Sequence, residues 1–192
     1  MTSRLITRLL DVIENDIIAL TRDGVRRGNK IFGAAILDKS DLSLVVAGTN
    51  AETDNPLWHG EMATIKKLYE LPENGRPAAT DCIFLSTHEP CSMCLSAITW
   101  AGYDNIYYLF GYEQTRDAFH IPHDLRILKE VFDCDDGAYV RDNAYWESHD
   151  IVNMIALENP SLEARVEKLT RVYGELSELY QASKPDNAIP LA

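Results

Sequence analysis

Basic residues are scarce in this sequence: 18 Lys and Arg stand against 30 Asp and Glu in 192 residues, a formal net charge of −12. Affinity for nucleic acid is built largely on phosphate neutralisation by Lys and Arg, so this balance disfavours a polyanionic partner and favours a small neutral one. Long apolar runs are missing too. None approaches the ~18–20 residues of a membrane span, and no membrane association is expected. Four cysteines, Cys82, Cys91, Cys94 and Cys134, are too few for a disulfide scaffold. In a reducing compartment a close thiol pair reads instead as metal-binding or redox-active. The first residues carry Arg8, Asp11, Glu14 and Asp16 where a signal peptide would be apolar, which predicts a cytoplasmic protein. No internal repeat or low-complexity segment is evident.

What remains is an ordinary globular composition, 46% hydrophobic and 25% charged, enough for one domain with a real core. Apolar residues at Leu5, Leu9, Val12, Ile13, Ile17 and Leu20 recur at helical spacing, with Gly24 as the expected stop. Residues 31–37 and 42–48 flank the polar turn Asp38-Lys39-Ser40-Asp41 and predict a β-hairpin. A helix over 59–71 ended by Pro72, a strand over 82–86, a helix over 91–101 ended by Gly102 and a strand over 106–110 follow. The βαβ order of this second half predicts some parallel pairing. A short helix is expected over 124–132, residues 134–153 are ambiguous, and 161–182 form an amphipathic helix. The domain is drawn at 1–158, with 159–192 as a C-terminal helix and a tail that is either loose or a strap onto a partner.

Two short segments carry chemistry: Trp58-His59-Gly60-Glu61 and Glu89-Pro90-Cys91-Ser92-Met93-Cys94. One imidazole and two thiolates suit zinc, and three protein ligands leave a fourth tetrahedral position for water, as in catalytic rather than structural sites. Cys91 and Cys94 are three residues apart, so at a helix start they converge on one ion, where the helix's partial positive charge favours thiolate. Pro90, which has no N–H, suits a first helical turn. Residues two apart on a regular helix point in roughly opposite directions, so His59 and Glu61 can share a site only if it wraps around a helix end. Glu61 then stands beside the ion rather than on it. Two thiolates cancel the ion's formal charge, which makes a nearby carboxylate base more necessary. Two other uses of the thiols stay open at this level: a thioredoxin-like redox pair, and a closed structural zinc with a fourth ligand such as His88.

His-x-Glu followed by Pro-Cys-x-x-Cys resembles the zinc-dependent cytidine and nucleobase deaminase superfamily, over about Phe32 to Asp124. The resemblance implies an α/β fold, a three-layer α/β/α sandwich around a five-stranded mixed sheet, with a C-terminal helical extension. It implies Zn2+ held by His59, Cys91 and Cys94 between two helix starts, and Glu61 as the catalytic proton shuttle. Within the superfamily the chain is most similar to bacterial guanine deaminases, through Phe32-Gly33-Ala34, Asn50, Trp100 and Asp124. Carried over, Asn50 hydrogen-bonds the base, Phe32 and Trp100 shape or stack on it, and Asp124 recognises an amino or ring N–H group. The implied reaction removes an exocyclic amino group as ammonia from a free nucleobase or related amino-heterocycle. Guanine is the first candidate. Cytosine is second, because His-Gly-Glu also occurs in fungal cytosine deaminases, and tRNA adenosine is third. A zinc-stabilised binding protein without catalysis is the remaining alternative, against which Glu61 argues. The resemblance further implies a homodimer. Gly60 stands where many purine and tRNA deaminases have Ala, and the region after Ala138 matches nothing in the family.

Overall fold

Apolar residues occupy both parities of the first strand, so neither of its faces is left for water. In the computed structural model, which describes residues 2–191, β1 is Gly33–Asp38, and Ala34 and Ile36 enter one core cluster while Ala35 and Leu37 enter another. Strand geometry sends alternate side chains to opposite faces, which is why one strand feeds two cores. The same holds in β3 (Cys82–His88), where Cys82 and Phe84 join one cluster and Ile83 and Leu85 the other. With β2 (Leu44–Thr49), β4 (Asn105–Phe110) and β5 (Glu147–Asp150) the sheet has five strands in the order β2-β1-β3-β4-β5. β1 is antiparallel to both β2 and β3, whereas β3, β4 and β5 run parallel, so the sheet is mixed.

Helices cover both faces. On one side pack α1 (Thr2–Val12), α2 (Ile18–Arg26), α7 (Ile151–Glu158) and α8 (Glu163–Ser183), through residues such as Leu9, Ile18, Ile155 and Tyr173. On the other pack α3 (Gly60–Glu70) and α4 (Ser92–Trp100), through Leu68, Leu95 and Ile98. This is the expected three-layer α/β/α arrangement with its C-terminal helix. Leu169, Tyr173, Leu176 and Tyr180 of that helix are buried in the sheet's own core. Two shorter helices, α5 (Tyr112–Asp117) and α6 (His123–Phe132), follow β4.

The structure departs from the sequence reading in three places. The first helix runs past Gly24, with a π-helical turn at Ile13–Ile17 between α1 and α2, and the chain leaves it at Gly28, whose φ of 92° is left-handed. The fifth strand, Glu-Ser-His-Asp, lies inside the ambiguous stretch, because an edge strand this short and polar has no apolar alternation to read. Helix α5 was not anticipated. Among the described residues, no helix is long and apolar enough to cross a membrane.

Candidate active site

Two connections leave the sheet and end in helices whose first turns meet. β2 runs through Asn50 into a loop that ends at His59, the N-cap of α3, and β3 runs through Glu89-Pro90 to Cys91, the N-cap of α4. The caps share one extended geometry, with φ, ψ of −62°, 165° at His59 and −63°, 167° at Cys91. Neither side chain caps its own helix. His and Cys are poor caps beside Ser or Asp, so these positions are held for something other than helix stability. Cys94 stands in the first turn of α4 and Glu61 in the first turn of α3. The site thus wraps around two helix starts, which also resolves the two-residue spacing of His59 and Glu61.

His59 Nδ1 lies 3.5 Å from Cys91 Sγ and 3.7 Å from Cys94 Sγ, and the three donor atoms all fall within 4.8 Å of one another. Around a tetrahedral ion with bonds of about 2.0 Å to nitrogen and about 2.3 Å to sulfur, donors sit about 3.6 Å apart, so the trio fits zinc. Among the described residues these three are the cluster able to hold a metal. His88, the other candidate ligand, is buried among Phe32, Phe110, Phe119 and Tyr173. Burial pushes it down to about 3 and so keeps it neutral, and its ring nitrogens lie outside the donor cluster of His59, Cys91 and Cys94.

The electrostatics suit an ion. Cys91 is held well below the usual thiol range by hydrogen bonds from Cys94 and His59, while Cys94, fully buried, is pushed well above it. Burial works to lower His59, but the Cys91 thiolate, with Glu61 and Glu52, outweighs it and raises the imidazole to about 9. Glu61 is also pushed upward, by burial first and by the Cys91 thiolate second. Ser86 Oγ donates to Glu61 Oε1 at 2.9 Å and so fixes the plane of that carboxyl group.

Beside the cluster opens a cavity of about 260 Å³, lined by His59, Cys91, Phe32, Asp124, Leu57 and Ile121 among others. Its walls are mostly apolar, with few polar groups, as in small-ligand sites. Asp124, in the first turn of α6, is raised to about 8 by burial and then by the Cys91 thiolate. Asn50 is fully buried at the end of β2; its N–H donates to Phe32 O and its Nδ2 to Glu52 Oε2 at 2.6 Å.

Trp100 does not join this group. It is 91% exposed at the C-terminal end of α4 and borders a different, larger cavity with Tyr145 and Trp146. The reason is helical geometry. Six residues beyond Cys94 rise roughly 9 Å and turn roughly 240° away from the cluster-facing side. Stacking of Trp100 on a ligand in the cavity beside His59 is therefore withdrawn.

Several cavity residues were not anticipated. Lys30 and Glu52 form a buried ion pair at 2.7 Å, and Ile189, Pro190 and Leu191 lie over the cavity. Nothing in the sequence pattern singles out Lys30 or Glu52, and the tail carries no periodicity. Only the nearness of Glu52 to Asn50 and His59 in the chain hinted at a role.

Gly60 explains the departure from Ala. A Cβ there would lie 2.9 Å from Gly33 Cα and 3.0 Å from the Phe32 carbonyl carbon, both immovable backbone. Gly60→Ala is expected to push the start of α3 off β1, costing about 1–3 kcal/mol. Thermal melting checks the stability, and because His59 and Glu61 flank the site of strain, zinc affinity is expected to fall with it.

Fold and site together define a zinc-binding α/β protein of the deaminase class. The model of the cytidine and deoxycytidylate deaminase zinc-binding region matches residues 16–110, just under half of the chain, and that stretch carries all of β1, β2, β3 and β4 together with His59, Cys91 and Cys94. It is 32% identical over 104 residues to the guanine deaminase of Bacillus subtilis (strain 168), a match covering 53% of this chain and 64% of that protein. The chain thus spans less than two thirds of this relative's length. A solved structure of the B. subtilis guanine deaminase superposes with a TM-score of 0.52 at 26% identity, over 69% of this chain and 85% of that one. A guanine deaminase structure from Nitrosomonas europaea shares the fold, with a TM-score of 0.50 at 18% identity over 83% and 81% of the two chains.

Proposed function

We propose that this protein is a zinc-dependent hydrolytic deaminase of a free amino-heterocycle of nucleobase size, with guanine the first substrate to test. One observation carries the reading: a buried, upward-shifted, non-ligating carboxyl group, Glu61, stands beside a three-donor zinc site at the edge of an apolar cavity of about 260 Å³. Zinc, when bound there, supplies Lewis-acid activation of a water nucleophile. Glu61 takes the proton that this water loses and passes protons to the ring nitrogen and the departing amino group, so that C–NH2 and water become C=O and ammonia. Phe32 forms an apolar wall and Asp124 offers a polar contact to the ring edge, while Asn50 is buried directly behind the cavity-lining Glu52. The cavity's size supports a base over a nucleoside, and the net charge of −12 disfavours a tRNA substrate.

Ammonia release across guanine, cytosine, isocytosine, adenine, pterins, triazines and the matching nucleosides tests this reading. Turnover of guanine without guanosine is expected; turnover of nucleosides but not bases would overturn the substrate class, and cytosine as the best substrate would favour the second candidate.

A cytoplasmic, reducing compartment belongs to the same proposal, because Cys91 and Cys94 must stay reduced to hold an ion. So does a homodimer. Exposed Trp100, Val140, Tyr145 and Phe132 make an apolar patch of the kind that marks protein contacts, and light scattering of the purified chain tests it.

A further inference from the structure

We infer that Glu52, charge-balanced by Lys30, is a positioning residue that fixes the metal-binding face of His59 and the amide orientation of Asn50. Its side chain is 1% exposed and that of Lys30 is 6% exposed. Each oxygen is engaged. Oε1 accepts from Lys30 Nζ at 2.7 Å and lies 3.7 Å from His59 Nε2, while Oε2 accepts from Asn50 Nδ2 at 2.6 Å. The other ring nitrogen of His59, Nδ1, faces the two sulfurs at 3.5 and 3.7 Å.

The imidazole therefore has a donor cluster on one side and a carboxylate on the other. To give a lone pair from Nδ1, a neutral ring must carry its proton on Nε2, and negative charge beside Nε2 favours that tautomer and that ring orientation. At 3.7 Å the effect runs through charge rather than a short hydrogen bond. Lys30 keeps the buried carboxylate from standing uncompensated. A pair that merely pinned the loop to the start of β1 would have no need of the histidine or the amide. Here both are within reach of the same carboxylate.

The second consequence concerns substrate, and it rests on the deaminase reading. A carboxylate can only accept, so Asn50 must turn its NH2 toward Glu52. That leaves Asn50 Oδ1 buried without a partner. A ligand that meets Asn50 must then present a donor, a ring N–H or an amino group, and a heterocycle offering only lone pairs there is disfavoured.

The test uses the full chain and three variants: Glu52→Gln, Lys30→Met and the double variant Lys30→Met/Glu52→Leu. The double change removes both charges together and so preserves folding where a single change does not. Zinc affinity is read by competition with a chromophoric chelator, and the His59 tautomer from imidazole 15N shifts of the metal-free protein at a pH above about 9, where the ring is neutral. Glu52→Gln and the double variant are expected to bind zinc roughly 10–100-fold more weakly and to lose the Nε2–H signature. Unchanged zinc affinity and 15N shifts in variants whose only defect is a lower melting temperature would overturn the inference. Both readouts are independent of turnover. If no heterocycle is deaminated while they shift as stated, the positioning role stands and the deaminase reading falls.

Discussion

Glu61→Gln is expected to bind one zinc per chain as the unaltered protein does, yet to release ammonia roughly 10²–10⁴-fold more slowly. The expectation follows from where the carboxyl group sits. Glu61 is in the first turn of α3, buried, held by Ser86 and absent from the donor trio of His59, Cys91 and Cys94. Gln keeps the shape and can still take a hydrogen bond from Ser86, so the fold and the metal should not notice the change. It cannot carry a proton from water to a leaving amine. Metal analysis with single-turnover ammonia release separates the two roles. A variant that turns over at the original rate would mean that the proton moves through another group, and loss of zinc would make Glu61 a ligand.

Zinc affinity is expected to rise roughly a hundredfold per pH unit around neutrality, with about two protons released per ion bound. The sign follows from the state of the three donors before an ion arrives. Cys91 is shifted well below the ordinary thiol range by its hydrogen bonds from Cys94 and His59, so it is the donor that gives up its proton most readily. Cys94 is shifted up and keeps its proton, and His59, raised to about 9, keeps its own. Zinc requires both thiolates and a neutral ring, so Cys94 and His59 must each give up a proton. Lowering the pH then works against binding twice over. Chelator competition from pH 6 to 8 measures the slope, and a pH indicator in weak buffer counts the protons. A flat profile would show that the donors are already deprotonated. Because the ion binds only the folded chain, stripping it is also expected to lower stability, by about 2.7 kcal/mol at a free zinc concentration of 100 Kd.

The legible parts of this protein are those written in short-range geometry. The Cys91–Cys94 spacing encodes one turn of helix, and Pro90 before it marks the entry, so two ligands and their location at a helix start could be read directly. The hydrophobic hairpin and the βαβ order likewise gave the sheet's mixed character. β5 could not be seen, because a four-residue polar strand gains its place from pairing with β4 and not from its own pattern. Trp100 was carried over from the resemblance alone, and the helix's rotation takes it away from the cluster to a different cavity. Lys30 and Glu52 were passed over because a charge in a loop is normally solvated. Their burial depends on each other, and they lie 22 residues apart in the chain.

The placement of the ligands bears on how the chain reaches its final form. His59 follows β2 and the cysteines follow β3, yet in the sheet β1 lies between those two strands. Strand β1 must therefore pair on both sides before imidazole and thiolates come within reach of one ion. Until then the metal has only the Cys91–Cys94 pair to hold. Zinc thus acts as a late latch on a core already assembled, slowing its escape from the native state, and not as a nucleus that guides the first contacts.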